Sequence, residues 1–178
     1  LRAWYAAKVL ADTPLLVLPP LLFLATMGSL SGLHNYEGWR VGMIYVSLLV
    51  IVIASHAWAM VLTCLTKDLG AAVFLVPTSV LPMLLFAGFF RNVADITWAL
   101  RWLCYVDPMR YGWEALVTAA FYDLALDGPL DGNWVLSHRL SLGGADKGFF
   151  GGRIGILLGY VLVFRALAFA ALRRRVTF

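Results

Sequence analysis

"VGMIYVSLLVIVIASHAWAMVLTCLT", residues Val41 to Thr66, decides the fold. The stretch contains no Asp, Glu, Lys or Arg, and a single histidine, His56. About 20 apolar residues in helical form cross the roughly 30 Å hydrocarbon core of a bilayer, and this run is longer. Lipid offers no hydrogen bonds, so one apolar span closes its own backbone as a helix. At that depth His56 reads as an imidazole hydrogen-bonded between helices, with a relay or ligand role as the alternative. The sequence offers it no obvious partner in a neighbouring span.

The pattern recurs on both sides. Upstream, 14–33 is a span, and residues 1–12 mix Trp4, Tyr5, Val9 and Leu10 with Arg2, Lys8 and Asp12, as an interfacial helix leading into it does. Pro14, Pro19 and Pro20 predict a broken or bent start, because proline removes backbone donors. Downstream, after the short turn "KDLG", 69–90 forms a third span containing Pro77 and Pro82. Two prolines weaken its backbone ladder, and freed carbonyls at membrane depth need protein or a lined cavity around them. This helix is the first candidate to line a path across the membrane. The fourth span, 152–172, is interrupted by Arg165, whose side chain is expected to snorkel toward the helix end before "RRR" stops it.

Composition agrees. The chain is 62% hydrophobic and 13% charged, with a mean hydropathy of +0.83. A soluble domain is about 25% charged. The fold class is therefore all-α: a polytopic membrane helix bundle of four spans. The net charge of +4 is scattered, apart from Arg173, Arg174 and Arg175, and suits anionic headgroups rather than nucleic acid. Arg2, Lys8, Lys67 and those arginines lie on one side, against Arg40, Arg91, Lys147 and Arg153 on the other. The bias puts both ends in the cytosol. The chain opens on Leu1 and reads as the C-terminal piece of something longer.

Residues 91–148 form an external segment. Asp95 to Val106 reads as a short helix with Asp95 as N-cap, and a second starts at Asp107-Pro108 and runs to about Leu126. Arg110 and Glu114, four residues apart, pair on the second. The Gly-rich stretch up to Gly152 is expected to be irregular. Catalytic motifs are missing: no G-x-x-x-x-G-K-[ST] loop, no H-E-x-x-H, no G-x-S-x-G. "LSLGGADKG", Leu140 to Gly148, is a loop and not a cassette signature. Cys64 and Cys104 are expected to be free, packing as small hydrophobes without disulfide or metal.

Four blocks, in order, carry a family resemblance. "WYAAKVLADTPLLVLPP" (Trp4 to Pro20), "VPTSVLPMLLFAGFFRN" (Val76 to Asn92), "LRWLCYVDPMRYGWEAL" (Leu100 to Leu116) and "FRALAFAALRRR" (Phe164 to Arg175) resemble the white/G-subfamily ATP-binding-cassette half-transporters. The resemblance implies helices three to six of an ABC-2-type transmembrane domain, with two short helices that re-enter the outer leaflet and roof an exit. It implies a cavity lined by Leu81, Leu84 and Leu85, and a valve of Phe89 and Phe90 above it. It further implies a second half-transporter as partner. The nucleotide-binding domain, absent from this chain together with the first two helices, would supply ATP and Mg chemistry. The expected function is the membrane part of a dimeric ATP-driven transporter exporting or translocating lipid, sterol or other amphipathic molecules. The alternative is a non-transporting scaffold or assembly subunit derived from one. The cysteines used by some members' outer loops for disulfides are lacking, so covalent dimer linking is not expected.

Overall fold

The computed structural model describes residues 2–30, 37–66, 68–88, 97–124, 131–140, 142 and 146–176. These form helices α1 (Arg2–Leu30), α2 (Gly38–Leu65), α3 (Leu69–Phe86), α4 (Trp98–Val106), α5 (Pro108–Phe121), α6 (Gly132–Trp134, running on into a π-helical turn, Val135–Arg139) and α7 (Lys147–Val176). No strand occurs among the described residues. The chain is an all-α membrane bundle. Ala7–Leu30, Gly38–Leu65 and Lys147–Arg174 are each long and apolar enough to cross a bilayer.

Helices α2 and α7 form the core. Val50, Ala54, Ala57 and Val61 pack on Leu157, Val161, Phe164 and Ala168, all buried. Both rows advance by four, three and four residues, the spacing of a coiled-coil seam. Alanines at three of the eight positions let the backbones approach closely, where dispersion rather than water drives association. Trp58 leans on Phe164, with ring centroids 5.1 Å apart, and donates its indole N–H to Ser79 Oγ at 3.0 Å, which fastens α3.

Several boundaries differ from expectation. The interfacial segment and first span are one continuous helix, α1, with Pro14, Pro19 and Pro20 inside it. Proline's missing donor breaks a helix most readily when water can take over the freed carbonyl, and lipid cannot. The third span is helical only to Phe86, about 27 Å at 1.5 Å per residue. It ends because Gly88 adopts φ 91, a left-handed geometry suited to glycine. Pro77 and Pro82 do not interrupt it. The expected valve residues, Phe89 and Phe90, and the expected cap Asp95 lie outside the described residues. Helix α4 begins at Trp98 and presents Trp98, Trp102 and Tyr105 on one exposed face, as a headgroup-level helix does. Helix α5 ends at Phe121, short of Leu126, because Asp123 turns to φ 52. The Gly-rich approach to the last span is helical from Lys147, since the Asp146 carboxylate accepts the Phe149 N–H at 2.7 Å as a cap. The end of the "LSLGGADKG" segment is therefore the first turn of α7.

Candidate functional site

The short helix α5 is held at three levels. Asp107 Oδ1 accepts the Met109 N–H at 2.9 Å and Pro108 occupies the first turn, so sequence alone places this start correctly. At mid-helix, Arg110 Nε donates to Glu114 Oε1 at 2.7 Å. From α7, Arg153 Nε lies 2.7 Å from the other oxygen, Oε2, as an ion pair off the hydrogen-bonding line. At the C-terminal end, Arg40 of α2 donates to the carbonyls of Tyr122 and Asp123, the latter at 3.1 Å. Cations suit a helix C-terminus, where carbonyls lack partners.

Glu114 is thus the shared anion of a buried triad, 3% exposed, between Arg110 on its own helix and Arg153 on another. The i,i+4 pair was legible; the third member was not. Arg153 stood in the sequence as a flanking charge at the edge of a span, and only the packing of α7 on α5 brings it to Glu114. Aromatics complete the surround. Arg110 lies over the Tyr105 ring at 4.5 Å, and Arg153 over Phe149 at 4.4 Å. Tyr111 is buried. Its hydroxyl donates to the Tyr105 carbonyl at 2.7 Å, and its ring lies 6.0 Å from Tyr160.

Burial pushes the Asp107 carboxyl up to about 7, against the Met109 amide and the Arg110 charge, which both lower it. A raised carboxyl pKa means that the folded state holds the proton more tightly than the unfolded one. Its contribution to stability is complete below 3.8 and is lost as pH rises through about 7. Asp107→Asn keeps an acceptor for Met109 and removes the titration. Thermal unfolding of the full-length protein in detergent should therefore fall more steeply from pH 5 to pH 8 in the wild type than in Asp107→Asn; parallel curves would remove this assignment.

Helix α3 divides its faces. Ser79, Val80 and Met83 turn inward, the last two onto a water-sized void also lined by Ile51, Trp58, Pro108, Met109 and Leu157. Leu81, Leu84 and Leu85, the expected path residues, are exposed on the side away from the bundle. The structure does not bring them together with Arg110 and Glu114.

A second polar group joins α1, α2 and α7. His56 Nε2 lies 3.6 Å from Asp12 Oδ2, and Lys8 lies 3.5 Å from the same oxygen. His56 does have a partner in a neighbouring span. It was missed because Asp12 was assigned to a separate interfacial helix; a continuous α1 carries it to the level of His56. Tyr5 donates to the Arg165 carbonyl at 3.0 Å and packs edge-on against Phe169 at 5.4 Å. Arg165 Nη1 is buried without a hydrogen-bond partner. With α7 running to Val176, the helix end is about 16 Å away, beyond the side chain's reach.

Cys64 and Cys104 are free thiols. No three His, Cys, Asp or Glu side chains gather as metal ligands among the described residues.

The ABC-2 type transporter model matches residues 1–121, more than half of the chain. The chain belongs to the ABC-2 type transporter family. Similarity to white and G-family ATP-binding-cassette transporters extends across most of its length. "Protein white" of Drosophila melanogaster is 27% identical over 97% of the chain and 26% of that protein. "ABC transporter ATP-binding protein/permease wht-1" of Caenorhabditis elegans is 26% identical over 96% of the chain and 27% of that protein. "ABC transporter G family member 8" of Dictyostelium discoideum reaches 33% over half of the chain and 14% of that protein. The chain therefore spans about a quarter of the length of the first of these relatives. It is a multi-pass membrane domain of an ABC-2 type transporter.

Proposed function

We propose that this domain works in a dimeric ATP-driven transporter that exports or translocates lipid, sterol or another amphipathic molecule. The observation that carries the reading is the divided face of α3: one side fastened by Ser79, Val80 and Met83, the other apolar and exposed among the described residues. In a family of paired membrane domains, that face with Leu81, Leu84 and Leu85 meets the second half-transporter and lines an apolar cavity. Apolar walls suit amphipathic cargo. Phe89 and Phe90 follow two residues after α3 ends and close the cavity as a dry plug. ATP and Mg act in a nucleotide-binding domain, so this part of the protein carries no catalysis of its own.

Both chain ends face the cytosol in this reading. Arg2, Lys8, Lys67 and the terminal arginines on one side, against Arg40, Arg91, Lys147 and Arg153 on the other, support it.

Phe89→Ala/Phe90→Ala in the full-length protein, reconstituted in vesicles with its partner, should reduce ATP-dependent movement of a fluorescent lipid several-fold, while ATP hydrolysis and dimer assembly persist. Unchanged transport removes the valve; loss of the dimer places the pair in packing instead.

A further inference from the structure

The inward face of α1 changes character along its length. Tyr5, Val9, Asp12, Leu16 and Pro20 recur at helical spacing and are among the more buried of the described residues of α1. On α2, His56, Val52 and Leu48 form the facing row, one turn apart. One end of this seam is the Asp12–His56 contact with Lys8 and Arg165 beside it. The other is an open groove of about 240 Å³ lined by Pro19, Pro20, Phe23, Leu48 and Val52, all apolar. Asp12 and Pro20 are about 12 Å apart along the helix. A polar head and an apolar slot thus share one cleft.

The polar end is not electrically closed. Lys8 and Arg165 bring two positive charges and Asp12 one negative, with His56 adding a third cation when protonated. Arg165 Nη1 and His56 Nδ1 are buried without hydrogen-bond partners, as is Asp12 Oδ2. Unused donors near lipid are costly unless an acceptor reaches them. Asp12 also lies only about five residues inside the span that begins at Ala7, within reach of headgroup oxygens once cationic side chains extend outward. The groove opens sideways: Phe23 is about half exposed and Pro19 is exposed, so an occupant enters from the hydrocarbon. A neutral sterol would fill the groove and leave the excess charge unmet.

We propose that this cleft is a lateral site for an anionic phospholipid, its phosphate accepting from Arg165, His56 and Lys8, and one acyl chain lying between Pro19, Pro20 and Phe23 of α1 and Leu48 and Val52 of α2. Asp12 positions the cations and prevents their mutual repulsion. The site is built from α1 and α2, with Arg165 from α7, and does not depend on the transport reading. Basic pockets between membrane helices recognise headgroups in this way.

The test uses the full-length protein in phosphatidylcholine nanodiscs, without ATP. Each contains a trace of phosphatidylserine or of phosphatidylcholine bearing a diazirine in the acyl chain. After irradiation, labelled peptides are mapped by mass spectrometry. The phosphatidylserine probe should label residues 16–24 and 48–53 about fivefold more than the phosphatidylcholine probe, the preference that one Lys or Arg near an anionic headgroup provides. Arg165→Gln should bring the ratio close to one. Leu48→Trp fills the groove without touching a charge, and should remove labelling at these residues by either probe. Arg173→Gln/Arg174→Gln should leave the ratio intact. Equal labelling by the two probes, a preference that follows the terminal arginines, or labelling unaffected by Leu48→Trp overturns the proposal. If Arg165→Gln does not fold, the Leu48→Trp and terminal-arginine arms still decide it.

Discussion

Glu114→Ala is expected to cost about 3–5 kcal/mol of stability, the largest effect of any substitution considered for this domain. The residue supplies the single negative charge between Arg110 and Arg153, and its side chain is 4% exposed against 10% and 23% for theirs. Removing the carboxylate leaves two cations facing one another without the anion that bridges them. On an open helix face the Arg110–Glu114 pair would contribute only about 0.2–0.5 kcal/mol. Burial reverses that estimate, because desolvation already incurred is no longer offset. Glu114→Gln should fall between wild type and alanine, since an amide oxygen still accepts one hydrogen bond but carries no charge. The informative variant is the triple replacement Arg110→Met, Glu114→Leu and Arg153→Met. Buried ion triads replaced together by apolar residues of similar size are often neutral or stabilising. Thermal unfolding of the full-length protein in detergent reads the first part; lipid transport in vesicles reads the second. A stable triple variant that transports makes the triad a prop for α5. One that is stable but inactive makes its charges part of the path.

The sequence disclosed the class of this fold more readily than its joints. Spans were legible because about 20 apolar residues in a row admit one structure in lipid. The start of α5 was legible for the same kind of reason: Asp107-Pro108 is a local chemical signal that needs no tertiary partner. The α2–α7 seam escaped notice. Apolar residues occur on every face of both helices, so periodicity does not separate the face that packs from the face that meets lipid. Polar partners across helices were missed for another reason. Asp12 with His56, and Arg153 with Glu114, are separated by 44 and 39 residues. Joining the two halves of α1 brings the first pair into register; the second depends on how α5 packs against α7, which no local signal announces. Proline was over-weighted in α1, which runs unbroken through Pro14, Pro19 and Pro20, because neighbouring helices and local adjustments re-satisfy freed backbone groups in a membrane. The path residues Leu81, Leu84 and Leu85 came from resemblance, and their exposed position gives them no distinguishing signature in a single chain.

Gly112 is the second position where a small change should be felt strongly. A Cβ added there would lie 2.4 Å from Ile51 Cγ1, 2.9 Å from its Cδ1 and 3.5 Å from Leu157 Cδ2. Two effects oppose each other. Alanine is a better helix former than glycine by about 0.8–1.0 kcal/mol. Overpacking costs about 1–3 kcal/mol. Here the second wins, because the obstructing atom is close to the backbone of a β-branched residue. Isoleucine in a helix is confined to essentially one χ1 rotamer and has little freedom to turn aside. Relief therefore requires α5 to lift from α2, which also loosens the contact of Pro108 and Met109 with Ile51 and Leu157 around the small void. Gly112→Ala should be destabilised within that range, and Gly112→Val more so. Ile51→Ala alone leaves a cavity and is destabilised as well. Combined with Gly112→Ala, the new methyl occupies part of that cavity, so the double variant should be more stable than the sum of the singles by at least about 1 kcal/mol. Simple additivity in that cycle, read by unfolding in detergent, would mean that α5 does not rest on Ile51. The position matters beyond stability because Gly112 lies two residues from both Arg110 and Glu114. Whatever lifts α5 from α2 also draws Glu114 away from Arg153, so the steric and the electrostatic substitutions should be coupled rather than independent.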